Sequence, residues 1–326
     1  MPNKQFIQEF QTKLANTYNT GYQSWWNKFI FHYSDVRNVV SILNSGKLYS
    51  RNKAIENGLM THDNANDDVI FNTGLDNKDY VRFYFGAMTP TQYSNQGIKQ
   101  KSQIINNAHC PVPIFLLFDF VNILNTPNVH FSNGNIASAN AEIYNNIQDL
   151  KKLEFHYIYD RTALPDSNYR YHILYCRNAE VLVPHEVNVF DSLKYVCVRS
   201  EADKETLLYN LTPEKRTLLN NKIRVTNNGL YFQNRLLLNK VYIQVEDNYV
   251  IFEFLNANNS TFDITLTIVG DGNILYNKSY PNFMITQKVS AELPDDFKYP
   301  VYIKLEFDDN LIYKNEIINT SEHLIF

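Results

Sequence analysis

The stretch Tyr171-His-Ile-Leu-Tyr-Cys-Arg-Asn-Ala-Glu180-Val-Leu-Val-Pro184 places one carboxylate directly against an apolar strand. The Val and Leu residues after Glu180 predict a buried strand, and Pro184 predicts its end because proline lacks a backbone N–H. A charge at the mouth of such a strand costs free energy unless it is paired or used in a reaction. Glu180 is therefore the first candidate functional residue, and the structural alternative is a capped or salt-bridged surface glutamate.

Length and composition limit the possible classes of protein. A chain of 326 residues is too long for one ordinary core, so we expect two domains. The 23 Tyr and 21 Phe predict either buried rings with polar tips or stacking surfaces. The formal net charge is −4 and neither half of the chain is basic, so nucleic-acid binding would need a local patch.

The cysteines and the apolar runs predict the cellular compartment. Cys110, Cys176 and Cys197 form no CxxC pair, which favours reduced thiols in a cytoplasmic protein over a disulfide framework or a zinc site. We therefore predict no metal. The first residues hold no apolar signal segment, and no apolar run is long enough to cross a bilayer, so neither secretion nor membrane contact is predicted.

Periodicity predicts short helices and strands in the first 200 residues. Apolar residues at helical spacing predict a helix over residues 4–14, and Ser34 or Asp35 should cap a second helix that Gly46 ends. Strands are predicted at residues 29–35, 80–85, 113–120, 129–135, 179–183 and 193–198. Residues 47–53 read as an extended piece, 142–153 and 201–220 as helical, and 56–79 and 156–169 as loops.

The last third of the chain has a different sequence pattern. Short alternating segments separated by Asn, Asp, Gly and Pro turns predict a small antiparallel sandwich after residue 223. They are predicted at residues 240–245, 249–254, 262–268, 273–276, 284–289, 301–307 and 311–313. This part carries no cluster of His, Cys or paired acids, so a binding or regulatory module is the expectation there.

Four parts of the first domain suggest one site. They contribute a histidine, an arginine, an aromatic strand with the turn that follows it, and the glutamate; the residues are His32, Arg51, Tyr84, Phe85, Tyr93 and Glu180. Each has an ordinary structural explanation when taken alone: a hydrogen-bonded histidine, a surface arginine, core tyrosines. Four ordered motifs carry a family resemblance. They are Phe31-His-Tyr-Ser-Asp35 with Ile42-Leu-Asn-Ser-Gly46-Lys-Leu-Tyr-Ser-Arg51, Val81-Arg-Phe-Tyr-Phe-Gly-Ala-Met-Thr-Pro90-Thr-Gln-Tyr93, Phe131-Ser-Asn-Gly-Asn135-Ile-Ala-Ser138, and Arg177-Asn-Ala-Glu180-Val-Leu-Val-Pro184.

Together these motifs resemble those of the DarT family of nucleic-acid ADP-ribosyltransferase toxins, over about residues 29–200. The resemblance implies an α+β chain with an ADP-ribosyltransferase fold at residues 1–200, in which two facing mixed or antiparallel sheets with flanking helices hold NAD between them. A helical connector at 201–222 and an all-β sandwich-like domain at 223–326 would follow.

By the same resemblance Glu180 is the catalytic carboxylate, and Arg51 helps to position NAD and the acceptor. His32 would hold ribose hydroxyls, and Tyr93 would stack on the nicotinamide ring. The remaining residues implied to bind NAD, which is a substrate here, are Tyr33, Ser34, Tyr84 and Phe85. A fixed carboxylate suits this chemistry because breaking the N-glycosidic bond builds positive charge on the ribose.

The resemblance further implies a base of single-stranded DNA, thymine in most members, as the acceptor, and a separate macrodomain antitoxin as a partner. The residues implied to contact nucleic acid are Asn135, Arg161, Tyr169 and Arg170. Asn178 and the Asn-rich residues 56–79 depart from the family pattern, so an RNA base or a protein stays open as the acceptor, as does simple NAD hydrolysis. A binding protein without activity, with the sandwich as the working part, is the third hypothesis. We expect Glu180→Ala to abolish transfer and to keep the fold, on the view that an exposed-edge carboxylate adds little stability.

Overall fold

The structure is a computed structural model, and it describes residues 2–59, 75–226 and 229–318. The predicted loop at residues 56–79 lies mostly outside these described residues. No helix within the described ranges is long and apolar enough to cross a membrane.

The first part of the chain is α+β, as its sequence predicts. Its strands are β1 (Phe29–Asp35), β2 (Lys47–Tyr49), β3 (Tyr80–Tyr84), β4 (Pro113–Asp119), β5 (His130–Ser132), β6 (Ile143–Tyr144), β7 (Glu180–Pro184), β8 (Glu186–Asn188), β9 (Leu193–Val198) and β10 (Ile223–Val225). Eight of them form a sheet in the order β10-β9-β4-β1-β3-β7-β5-β6, while β2 pairs with β8. Their helices are α1 (Pro2–Thr17), α2 (Val36–Ser45), α3 (Arg51–Glu56), α4 (Pro90–Asn95), α5 (Phe120–Leu124), α6 (Phe155–Ile158), α7 (Tyr169–Cys176), α8 (Val189–Ser192), α9 (Glu201–Asn210) and α10 (Pro213–Leu219).

The eight-stranded sheet is split between β1 and β3. On one side β1 pairs with β4 along all seven of its residues, and on the other β3 pairs with β7 along all five of its own. Across the split, β1 and β3 share the single register pair Phe31↔Tyr84. The two facing sheets that the family resemblance implies are therefore two four-stranded halves of one hydrogen-bonded sheet, joined by a single register pair.

Capping fixes the helix that follows β1. Asp35 accepts a hydrogen bond from the Arg37 N–H at the start of α2, and Gly46 ends the helix in the left-handed conformation with φ 72°. Both features agree with the sequence-based prediction, because a short carboxylate satisfies free N–H groups and glycine accepts positive φ without strain.

Three predicted segments within the first 200 residues differ in element type from the structure. Residues 142–153, predicted as one helix, contain β6, because Ile143 and Tyr144 pair with β5, and a 3-10 helix at Ile147–Lys152 that the Asn146 side chain caps. Residues 47–53, predicted as extended, divide into β2 and α3 where Ser50 caps the helix. The loop predicted at 156–169 contains α6, and α7 lies between that loop and the Glu180 strand.

The last third forms the antiparallel sandwich that its alternation predicts. Its strands are β11 (Leu237–Gln244), β12 (Tyr249–Leu255), β13 (Thr261–Gly270), β14 (Asn273–Met284), β15 (Lys288–Glu292), β16 (Val301–Phe307) and β17 (Asn310–Ile317). They make one sheet β11-β12-β15 and another β14-β13-β16-β17. The main difference is β14, which was predicted to end at residue 276 but extends to Met284; Pro281 is tolerated because β14 is an edge strand.

The described residues form two hydrophobic cores. The first contains the eight-stranded sheet and its helices, and the second lies between the two sheets of the sandwich. Helix α9 contributes side chains to both cores, because Leu207 packs in the first core and Ala202 packs in the second. Leu230 and Tyr231 pack in the first core, so that core extends past residue 222, where the proposed connector ends.

Candidate active site

The pairing of β3 with β7 gathers three polar side chains on one face. Along β3, Val81 and Phe83 are buried on one side, and Arg82 and Tyr84 alternate onto the other. Tyr84 lies directly opposite Glu180, and residues opposite each other in an antiparallel pair project from the same face. The strand register therefore brings Arg82, Tyr84 and Glu180 together.

Glu180 is buried, with only 1% of its side chain exposed. Its Oε1 accepts a hydrogen bond from Arg82 Nη2 at 2.5 Å, and its Oε2 accepts one from the backbone N–H of Ile136 at 3.4 Å. Burial raises the pKa of Glu180 above its ordinary value, and the positive charge of Arg82 opposes that rise. Glu180 is therefore a desolvated carboxylate with one cationic partner, and the expectation of an exposed carboxylate at the strand edge is wrong.

His32 lies at the split in the sheet. Its Nδ1 is 3.0 Å from the backbone carbonyl oxygen of Arg82, and because a carbonyl can only accept, Nδ1 carries the proton. Burial lowers the pKa of His32, which keeps the ring neutral and leaves Nε2 as a hydrogen-bond acceptor. His32 is therefore hydrogen-bonded directly to the main chain of Arg82, the arginine whose side chain holds Glu180.

The turn at residues 132–137 supports the carboxylate from the other side. The Glu180 N–H donates to Ser132 Oγ at 3.2 Å, and Ser132 Oγ donates to the carbonyl oxygen of Gly134 at 2.5 Å. Asn135 Oδ1 accepts from Arg82 Nη2 at 3.4 Å and from the Ala137 N–H at 3.0 Å. Asn135, predicted to contact nucleic acid, thus lies beside the Glu180 and Arg82 pair.

Gly134 is required by a close contact with Tyr175. A Cβ at this position would lie 2.3 Å from Tyr175 Cζ, and the Tyr175 hydroxyl is held by Asn133. We expect Gly134→Ala to lower the free energy of unfolding by about 1–3 kcal/mol, because the ring has to move. Denaturant unfolding measures this. The double variant Gly134→Ala/Tyr175→Leu should lose less than the sum of the single variants, whereas additive losses would contradict the explanation.

Two tyrosines predicted to bind NAD line the same region. Burial, followed by the charge of Glu180, raises the pKa of Tyr84 to about 12, so this phenol stays protonated. Tyr33 donates its hydroxyl hydrogen to Asn95 Oδ1, and burial raises its pKa as well. Ser34 is buried and its Oγ accepts from Asn38 Nδ2 at 3.1 Å.

Phe85 and Tyr93 lie in contrasting environments. The Phe85 ring is fully buried and packs against Phe155 at a centroid distance of 5.4 Å, which places it in the hydrophobic core. Tyr93 is 58% exposed, with the Arg235 guanidinium 4.5 Å from its ring centroid and Phe232 against its edge. Of these two rings, Tyr93 is the one accessible for stacking.

The predicted arginines occupy three different positions. Arg51 is the first residue of α3, and the next residue, Asn52, donates to Asp79 at the end of the 3-10 helix (Leu75–Asp79) before β3. The Arg161 guanidinium donates to the carbonyl oxygen of Ala87 and lies over the Trp26 ring, which anchors its loop. Arg170 is exposed at the start of α7 and lies over the Tyr171 ring.

Tyr169, at the first position of α7, is 49% exposed and shares a hydrogen bond with the Tyr157 hydroxyl. With Arg170 and Tyr171 it gives this helix terminus an accessible aromatic and cationic surface. Arg161, in contrast, faces the protein.

Arg82 is the functional candidate that sequence reasoning missed. It stands in the strand predicted at residues 80–85, two residues from Tyr84, a predicted site residue. The two-residue period of a strand places it on the same face as Tyr84, and this signal was available in the sequence.

A family model and several solved structures match the part of the chain that has this architecture. The family model described as ssDNA thymidine ADP-ribosyltransferase, DarT, matches residues 31–232. The solved structure of Thermus sp. 2.9 DarT in complex with ADP-ribosylated ssDNA is 16% identical, with a TM-score of 0.50, and covers 63% of this chain and 96% of that chain. Thermus sp. 2.9 DarT in complex with carba-NAD+ has 16% identity and a TM-score of 0.48 over 63% of this chain and 98% of that chain. No curated protein sequence matches this chain at a significant level.

These findings define the class as an ADP-ribosyltransferase. The family match covers more than half of the chain, so the chain belongs to the DarT family of ssDNA ADP-ribosyltransferases. The predicted ADP-ribosyltransferase fold, the enzyme class and NAD as the substrate are thereby confirmed.

Proposed function

We propose that this enzyme transfers ADP-ribose from NAD to thymine in single-stranded DNA, with Glu180 as the catalytic carboxylate. The observation that carries the proposal is the buried Glu180, held by Arg82 opposite Tyr84 beside the split in the sheet. The description of the matching family as thymidine ADP-ribosyltransferases supports the choice of base.

The reaction exchanges one bond at the ribose for another. The bond from C1′ to the nicotinamide nitrogen breaks, nicotinamide leaves with the bonding electron pair, and C1′ bonds to the acceptor base. Glu180 would stabilise the positive charge that develops on the ribose by accepting a hydrogen bond from a ribose hydroxyl. A raised pKa also suits Glu180 to take the proton that the base releases.

The other predicted residues would position the two substrates. His32, with Nε2 as an acceptor, suits a ribose hydroxyl, and the protonated Tyr84 suits donation to an oxygen of NAD. Arg51 would hold NAD or the acceptor through its planar fork. The exposed Tyr169 and Arg170 suit base stacking and phosphate contact.

A transfer assay tests this function. NAD labelled in the adenylate group is incubated with oligo-dT, oligo-dA, oligo-dC, oligo-dG, RNA and protein. We expect label and the mass of one ADP-ribose on oligo-dT. Label confined to RNA or protein would identify that molecule as the acceptor in place of DNA. Release of free ADP-ribose alone would indicate NAD hydrolysis, and the absence of any product would contradict the proposal.

The proposed biological role is that of a cytoplasmic toxin, since a modified template base obstructs copying of DNA. The partner we propose is a separate macrodomain hydrolase that removes the modification. Induced expression should arrest growth, and co-expression of such a hydrolase should restore it. Arrest that persists equally in the Glu180→Gln variant would contradict the role.

The pH dependence of transfer follows from the environment of Glu180. Because burial raises the pKa of Glu180 and the reaction uses the carboxylate form, kcat is expected to increase with pH through that raised value. The acid limb of the pH profile should lie above the ordinary glutamate range near 4.5. A limb at or below that value would contradict the assignment of Glu180 as the titrating group.

A further inference from the structure

A second group of chemically active side chains lies between α6 and α7. Glu154 directly precedes α6, and His172 and Cys176 stand four residues apart on α7, so the two α7 residues share one face of the helix. The potential ligand atoms of the three residues all lie within 4.8 Å of one another. The proposed transfer reaction uses none of these residues.

The distances within this group match those of a tetrahedral metal site. Cys176 Sγ is 3.6 Å from His172 Nε2 and 3.5 Å from Glu154 Oε2. Ordinary zinc bond lengths in tetrahedral geometry separate a sulfur from a nitrogen or oxygen ligand by about 3.6 Å. The Glu154 Oε2 to His172 Nε2 distance is 2.7 Å, a direct ion pair that would open to about 3.4 Å around a zinc ion.

We propose that Glu154, His172 and Cys176 form a Zn²⁺ site that joins α6 to α7. The residue types are those that zinc prefers, one thiolate, one imidazole and one carboxylate. Cys176 is buried, while the Glu154 and His172 side chains are 42% and 40% exposed, so a fourth position faces solvent for a water ligand.

Neighbouring aromatic rings already orient the imidazole. The His172 ring lies 5.5 Å from the Tyr157 ring and 5.6 Å from the Tyr169 ring, measured between centroids. The Glu154 carboxylate makes no capping hydrogen bond to α6, which leaves it directed at α7. Little rearrangement is therefore needed to hold a cation, and this lowers the cost of binding.

The consequence of binding would be a fixed loop. Glu154 stands before residues 159–168 and His172 and Cys176 stand after them, so a bound ion closes this segment at its base. Arg170, exposed at the start of α7, lies between this segment and His172 and offers trypsin a cleavage site. The site stands apart from the transfer chemistry, and its test does not depend on the proposed function.

Metal titration of the full-length, metal-free protein tests the site. We expect one Zn²⁺ per chain at micromolar concentration, and Co²⁺ substitution should give thiolate charge-transfer absorption with the intense visible bands of tetrahedral cobalt. Cys176→Ala should abolish both signals. Cys197→Ala, which removes another buried thiol, should retain them.

A second variant and a second measurement distinguish the loss of Zn²⁺ binding from a loss of structure. Glu154→Gln replaces a partly exposed side chain and should weaken Zn²⁺ binding at least tenfold. Zn²⁺ should slow tryptic cleavage after Arg170 in the unmodified protein and not in Cys176→Ala. No uptake of Zn²⁺, no thiolate absorption with Co²⁺, or uptake that survives Cys176→Ala would each overturn the proposal and leave an ion pair only.

Discussion

Replacing Glu180 with glutamine is expected to lower kcat for ADP-ribose transfer by on the order of 10²–10³-fold, because the amide cannot supply the negative charge that stabilises the ribose cation. The shape of the side chain and its acceptor oxygen for Ile136 are kept. Initial rates with labelled NAD and oligo-dT measure the effect. Glu214→Gln, on the exposed face of α10, is the matched control and should transfer at the normal rate.

The same variant is expected to be at least as stable as the unmodified protein. Because the folded-state pKa of Glu180 lies above its unfolded value, the folded form holds the proton more tightly. The stability that this group contributes is full at low pH and is lost as the pH rises through the folded-state pKa. Glutamine removes that loss of stability. A marked fall in the unfolding midpoint of Glu180→Gln at neutral pH would therefore contradict the raised pKa of Glu180.

Replacing Arg82 with methionine should reduce transfer by on the order of 10²-fold at neutral pH, through Glu180. Arg82 is the cation that opposes the effect of burial on the pKa of Glu180, so its loss raises that pKa further and reduces the ionised fraction. The acid limb of the pH profile should move to higher pH, and part of the lost rate should return when the pH is raised.

Two comparisons separate this positioning role from a general loss of structure. Arg224→Met removes an exposed arginine from β10 and should leave the pH profile in place. The Arg82→Met/Glu180→Gln double variant should be little worse than Glu180→Gln alone, since residues acting as a unit are not additive. An unshifted acid limb in Arg82→Met would show that Arg82 does not control Glu180.

Local signals in the sequence predicted much of the fold. The seven-residue strand at 29–35, the cap at Asp35 and the end at Gly46 follow from alternation, capping and glycine conformation. The same rules failed at residues 142–153, where apolar spacing suggested one helix. The pairing of β6 with β5 and the Asn146 cap of the 3-10 helix divide that segment.

The sequence predicted the residue types of the site, but it did not predict that Glu180 pairs with Arg82. The buried strand and Glu180 could be read from composition, whereas the partner of Glu180 depends on the register between β3 and β7, which are almost 100 residues apart. Burial likewise depends on the turn at 132–137 that covers the carboxylate. The inward direction of Arg161 follows from Trp26, a contact that local sequence does not specify.

The single pair that joins β1 to β3 has a consequence for how a dinucleotide could enter. A continuous ladder would have to lose its own hydrogen bonds before anything could lie between two strands. Beyond Phe31 and Tyr84 no further register pair joins the described residues of β1 and β3, and the Arg82 carbonyl accepts from the His32 imidazole in place of a strand neighbour. A dinucleotide that enters at this seam therefore meets one strand pair and one imidazole hydrogen bond, rather than a full ladder of backbone hydrogen bonds.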